Sequence, residues 1–154
     1  MEITDIITQA AVIPSLRATS KKQALQELAH RVQDLLGLPE RSVFDVLMER
    51  ERLGTTGIGN GIAIPHGKPA GIEHLSGIFA RLERPIDFES IDEQPVDLIF
   101  LLLAPESAGA DHLKALARVS RLLRDKTVCD KLRTADSADA LYAVLTESPT
   151  SRAA

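Results

Sequence analysis

Residues 96–103 read VDLIFLLL, and the fold turns on how that run is read. Apart from Asp97 every position is apolar, so no alternation between a wet and a dry face survives. Strands of this kind are buried on both faces and lie in the middle of a sheet that helices cover. The run is far too short to span a bilayer, and Asp97 interrupts it. Upstream, SGIFARL (76–82) reads as another strand. Before it, GIAIPHG (61–67) alternates Ile62, Ile64 and His66, a strand on which the histidine shares a face with two buried-type residues. Pro65 favours an extended backbone at Ile64 and gives no N–H to a ladder, which suits a strand end.

On either side of these strands the period becomes helical. In SKKQALQELAHRVQDLLGLP (20–39) Ser20 can cap the helix with Gln23 three residues on. Leu25, Leu28, Ala29, Val32, Leu35 and Leu36 form its apolar stripe, and Gly37 with Pro39 ends it. A second helix over 41–53 turns Val43, Val46 and Leu47 inward and stops at Gly54. Arg50 follows those three at spacings of seven, four and three, so it extends the apolar face. ADHLKALARVSRLLRD (110–125) places Leu113, Leu116, Ala117, Ser120 and Leu123 or Arg124 on one stripe, and short helices follow at TVCDKLR (127–133) and SADALYAVL (137–145). Strands interleaved with helices predict an α/β fold, a three-layer sandwich with a mixed sheet flanked by helices on both faces. One domain over 1–147 accounts for the pattern, leaving a loose C-terminal tail, SPTSRAA (148–154).

Composition narrows the function. The 154 residues are 44% hydrophobic and 26% charged, an ordinary balance for a globular chain. A formal net charge of −4, with no basic run longer than Lys21-Lys22, argues against nucleic acid and anionic membrane as partners. The single cysteine, Cys129, excludes an internal disulfide framework and reads as a small apolar helix residue. MEITDIITQA (1–10) has neither a basic n-region nor a long apolar h-region, so the expected location is the cytoplasm.

One stretch is spent differently. GTTGIGNGIAIPHGKP (54–69) sets five glycines around His66, with Lys68 just behind. A phosphate-binding P-loop needs four residues between its first glycine and the GK pair, followed by Ser or Thr. Here five separate Gly61 from Gly67 and Pro69 follows Lys68. A dinucleotide fingerprint lies between a strand and a helix, whereas GIGNG lies between a helix and a strand. What remains open is a histidine nucleophile for a phosphoryl group, or a structural histidine at a strand end. An imidazole of ordinary pKa, about 6.5, offers a lone pair at neutral pH. Glycine amides can close around phosphate oxygens, and an arginine fork such as Arg50 can hold them. Arg50 in a last helical turn is equally accounted for by the helix dipole. His112 opens a helix, where an imidazolium is disfavoured, and is a weaker candidate. His30 and His74 read as solvated. His66, His74 and His112 lack a metal-ligand spacing, so no metal is expected.

The glycine–histidine segment, with FESIDEQPVDLIFLLLAP (88–105), DHLKALARVSRLLRDKTVCDKLR (111–133) and LYAVL (141–145), resembles enzyme IIA domains of the fructose and mannitol class of the bacterial phosphotransferase system. The similarity is strongest to their nitrogen-regulatory branch and spans about residues 3–147. The resemblance implies a mixed sheet flanked by helices, a phosphoacceptor at His66 (through Nε2), and site partners at Arg50 and His112. It also implies a phosphate-binding rim over Gly54, Thr55, Thr56, Gly57, Gly59, Asn60 and Gly61, with no metal and no nucleotide cofactor. The implied donor is an HPr-like phosphocarrier protein. The implied outputs are regulatory targets such as potassium transport or sensor kinases, with no nucleic acid and no membrane insertion. The nearest alternative is a sugar-specific enzyme IIA that passes phosphate to a IIB domain. An anion-binding protein without covalent chemistry, or a hydrolase using His66 as base with Ser76 or Ser90, fits the residues less well.

Overall fold

A computed structural model describes residues 1–147; the tail expected over 148–154 lies outside the described residues. Six strands form one mixed sheet: β1 (Val12–Leu16), β2 (Gly57–Gly59), β3 (Ile62–Ala63), β4 (His66–Gly67), β5 (Ser76–Ile86) and β6 (Val96–Leu103). Their order is β1-β5-β6-β3-β2, with β4 also paired to β6. β1 runs parallel to β5, β5 antiparallel to β6, and β3 and β4 parallel to β6.

VDLIFLLL is thus the central strand that its composition predicts. Leu98 to Leu102 are wholly inaccessible, and each such Leu or Phe contributes about 1.5–3 kcal/mol by leaving water. Helices cover both faces. α1 (Lys21–Leu36) and α2 (Glu40–Arg52) pack on each other and reach β5 and β4. α3 (Ala110–Arg124), α4 (Lys126–Thr134) and α5 (Ala138–Thr146) form a second group against β6 and β1.

Local chemistry sets the helix ends. The Ser20 hydroxyl accepts from Gln23 N–H at 3.1 Å, while the Gln23 amide oxygen accepts from Thr19 N–H at 2.7 Å. Gly37 closes α1 in the left-handed conformation, φ 74°. Asp125 and Ser137 cap α4 and α5. Cys129 is buried, and its thiol donates to the Leu123 carbonyl.

Three expectations need correction. The single strand over 61–67 is two short pieces on β6: Ile64 N–H leaves the ladder for Thr56 O, and Pro65 has no N–H to give. Leu35 and Leu36 are exposed, because the buried stripe of α1 ends at Val32. In α3 the buried face is His112, Ala115, Val119, Leu122 and Leu123, about one residue of rotation from the stripe predicted. Hydrophobicity alone favoured Leu113, Leu116 and Ala117; the sheet instead takes His112 and leaves Leu113 69% exposed. The segments 12–16 and 57–59 are strands that the period analysis did not single out.

Candidate functional site

Gly67 decides how closely α2 approaches the sheet. A Cβ there would lie 2.6 Å from Val46 Cγ1, so only glycine lets this helix face reach β4. Adjacent strand residues point to opposite faces, so His66 turns the other way. Its ring meets His112 edge-on, with centroids 5.7 Å apart and planes at 69°. Its far edge meets Arg50, carried in by the last turn of α2.

The two nitrogens of His66 have different surroundings. Nδ1 lies 2.9 Å from the carbonyl of Ile64, which can only accept, so Nδ1 carries the proton. Nε2 therefore holds the lone pair, and Arg50 Nε–H donates to it at 3.2 Å. Burial lowers the His66 pKa from its ordinary value, the Ile64 carbonyl raises it, the Arg50 charge lowers it and the Glu51 charge raises it, for a net decrease. His66 is held neutral at pH 7, with Nε2 nucleophilic and already facing a guanidinium. Arg50 is itself fixed, because its Nη1 donates to the Gly54 carbonyl at 2.8 Å.

His112 is 8% exposed, and its Nε2 is buried without a hydrogen-bond partner among the described residues. Burial lowers its pKa, and positive charge on His66 or Lys68 would lower it further. The helix-opening position that looked unfavourable for an imidazolium holds a neutral ring. His30 is exposed and pairs with Glu40. No group of metal-ligating side chains is assembled among the described residues.

The glycine stretch behaves differently from the rim expected of it. Gly54 lies at the site, at φ 152°, as the chain turns back from α2. Its N–H is taken by Glu51 O, that of Thr56 by the Glu51 carboxylate, and that of Gly57 by the Thr55 hydroxyl, which donates in turn to Phe88 O. Asn60 N–H goes to Asp92, and the Asn60 carbonyl to Arg133. Gly61 O accepts from Asp97 and Leu98 at the start of β6, whereas His66 pairs with Leu102 near its end. Four residues of strand, about 13 Å, separate the two. The structure thus brings His66, Arg50, His112 and Gly54 together, keeps Thr55, Thr56 and Gly57 behind them, and leaves Gly59, Asn60 and Gly61 at the other end of the sheet. These amides serve the protein's own acceptors, so a continuous cradle of free N–H groups is not formed.

One charged residue at this turn escaped the sequence reading. Glu51 is 8% exposed; its carboxylate accepts from Thr56 N–H at 3.1 Å and from the Thr56 hydroxyl, and pairs with Lys21 Nζ at 2.7 Å. The signal was present in the spacing: Val43, Leu47 and Glu51 recur every four residues, all buried.

Comparison with known proteins bears on this centre. A family described as "Phosphoenolpyruvate-dependent sugar phosphotransferase system, EIIA 2" matches residues 5–148. The chain belongs to this EIIA family. A nitrogen regulatory protein of Bradyrhizobium diazoefficiens is 60% identical to this EIIA protein over 153 residues, spanning 99% of this chain and 100% of its own. The crystal structure of Nitrogen Regulatory Protein IIA-Ntr from Neisseria meningitidis matches with a TM-score of 0.88 and 36% identity, over 94% of this chain and 99% of its own. IIA mannitol from Escherichia coli shares the fold, with a TM-score of 0.74 at 19% identity over 90% and 97% of the two chains. Among the described residues no helix of this EIIA protein is long and apolar enough to cross a membrane.

Proposed function

We propose that this EIIA protein is a phosphoryl-relay and regulatory component of the nitrogen-related phosphotransferase system, accepting its phosphoryl group on His66 Nε2. The observation that carries the reading is the division of labour on the ring: Nδ1–H is bound to Ile64 O, and Nε2 keeps its lone pair, which accepts from Arg50 Nε–H until the phosphoryl group arrives.

The donor is a phosphohistidine of an HPr-like phosphocarrier. Its N–P bond breaks with the electron pair remaining on the carrier's ring, while the Nε2 lone pair forms the new N–P bond. No proton has to leave Nε2, because the ring's proton sits on Nδ1. Transfers of this kind depend on positioning and charge stabilisation more than on covalent chemistry. Arg50 turns its donors from Nε2 to the equatorial oxygens, and the unpartnered Nε2 of His112, carrying the proton of its neutral ring, donates a further hydrogen bond to them. A buried polar atom without a partner costs about 1–3 kcal/mol, and the arriving phosphoryl oxygen would relieve that cost. The step needs neither metal nor nucleotide, since the reactive bond comes with the carrier.

Docking falls to exposed apolar groups beside the site, Leu53 (85% exposed) after Arg50 and Leu113 after His112. Phosphorylation then adds about −1.5 to −2 charges between them, by analogy with phosphorylated hydroxyls, enough to make a partner accept one form and reject the other. Regulatory targets such as potassium transport or a sensor kinase, met in the cytoplasm, are the outputs this favours. The strong similarity to nitrogen regulatory proteins supports that outlet over transfer to a sugar-specific IIB domain.

The test is reconstitution with phosphoenolpyruvate, enzyme I and the carrier, read by intact mass. Wild type gains one acid-labile, base-stable phosphate and His66→Ala gains none. Phosphate that persists in His66→Ala, or never appears while the carrier is charged, refutes the proposal. Adding a purified sugar-specific IIB domain separates the two outlets: retention of phosphate supports the regulatory one.

A further inference from the structure

A buried carboxylate that takes no part in the transfer chemistry needs an explanation, because burying a charge is costly unless it is paired and hydrogen-bonded. Glu51 is such a group: its hydrogen bonds go to Thr56, at the far side of one turn, and its ion pair to Lys21 at the start of α1. One carboxylate oxygen accepts from Thr56 N–H and from Lys21, and the other from the Thr56 hydroxyl. Lys21 also lies over the Phe88 ring, 5.0 Å from its centroid, and Phe88 O receives the Thr55 hydroxyl. Between Glu51 and Thr56 the chain leaves α2, reverses at Leu53-Gly54 and returns. The two ends of that reversal are therefore tied by a side chain. The atom at its apex that matters is the Gly54 carbonyl, which receives Arg50 Nη1 and leaves Arg50 Nε aimed at His66 Nε2.

We infer that Glu51 is a positioning residue for phosphoryl transfer: with Lys21 and Thr56 it clamps the 54–56 turn onto the end of α2, so that the Gly54 carbonyl holds Arg50 in the geometry that meets His66. The inference rests on the proposed function for what is transferred, although the clamp itself is a property of this turn. Without the carboxylate, Thr56 N–H loses its acceptor and the turn loosens. The Gly54 carbonyl then no longer fixes the guanidinium, and Arg50 remains present but unaimed. Helix packing alone would not require the carboxylate to meet two donors on Thr56. Gln keeps one acceptor oxygen at this site and loses the charge that meets Lys21, which makes Glu51→Gln the informative replacement.

The experiment is a double-mutant cycle on the full chain, measuring transfer from the charged carrier for wild type, Glu51→Gln, Arg50→Ala and the pair. Glu51→Gln is expected to lower the saturated transfer rate by about 10- to 100-fold, as misplacement by about 1 Å does, with KM for the carrier nearly unchanged. In the Arg50→Ala background the same replacement should add almost nothing, since its effect passes through the arginine. Nitrogen-15 NMR should show the Arg50 Nε–H signal shifted or broadened in Glu51→Gln. That readout needs no phosphate, so it stands even where the transfer assay fails. Multiplicative effects of the two replacements, or a wild-type rate in Glu51→Gln with an unmoved Arg50 signal, overturn the inference. If Glu51→Gln does not fold, Thr56→Val, which removes the hydroxyl and keeps the N–H, is carried through the same cycle with the same criteria. A wild type that takes no phosphate from a charged carrier counts against the proposed function instead.

Discussion

At the scale of single residues, the centre works by giving each nitrogen of His66 one neighbour. Arg50 meets Nε2 through Nε–H and Gly54 through Nη1, a two-pronged geometry that lysine cannot copy. Arg50→Lys should therefore lower the rate of phosphoryl transfer by about 10- to 100-fold, and a single-turnover assay would show it. A rate within a factor of about two of wild type would mean that only charge is needed there. Acid should act on stability through the same residues. Both His66 and His112 have pKa values lowered mainly by burial, so the folded state binds fewer protons than the unfolded chain near pH 6. Their contribution is fully present above the unfolded value of about 6.5 and is lost as pH falls through the folded values. Urea midpoints taken from about pH 7.5 down to about 5 should decline, and the His66→Gln, His112→Gln double variant should flatten that decline. An equal slope in the variant would place the acid sensitivity elsewhere.

At the scale of elements, the site is the meeting of the end of α2, the start of α3 and the strand β4. Gly67 sets the first of these contacts. Gly67→Ala places a methyl 2.6 Å from Val46 Cγ1 and should destabilise the fold by about 1–3 kcal/mol in denaturant unfolding. Val46→Ala in the same chain should restore part of the loss; no restoration would show that the strain lies in the backbone of β4. The central strand, both long helices and the stripe bearing Arg50 were legible in the sequence, because each is long and strongly periodic. β3 and β4 were legible as strand but not as two pieces, since their pairing depends on where Ile64 N–H goes. The face of α3 was misread because a buried histidine displaced leucines, an outcome hydrophobicity cannot anticipate. Glu51 was missed because its charge hides a stripe position that Val43 and Leu47 mark, and its burial is explained by Thr56 and Lys21. The glycine loop suggested a phosphate cradle, yet the acceptors that consume its amides come from Glu51, Asp92 and Thr55, two of them outside the motif.

For the whole molecule, the sheet sets two ends apart along β6. His66 lies near one, with exposed Leu53 at the end of α2, which carries Arg50, and exposed Leu113 on α3 next to His112, while Arg133 and Asp97 pair near the other, 2.8 Å apart. If the carrier docks at the first end, Leu53→Asp with Leu113→Asp should raise its KM by about ten-fold or more and leave the saturated rate largely intact. Unchanged KM would move the docking surface elsewhere. The claim on which the rest depends is that Nε2, not Nδ1, is the acceptor, because Ile64 O keeps the proton on Nδ1. Nitrogen-15 and phosphorus-31 NMR of the phosphorylated, histidine-labelled protein measures this directly. The expected result is one phosphorus coupled to Nε2 of His66, with Nδ1 still protonated. Coupling to Nδ1, or phosphate on any other residue, would contradict it.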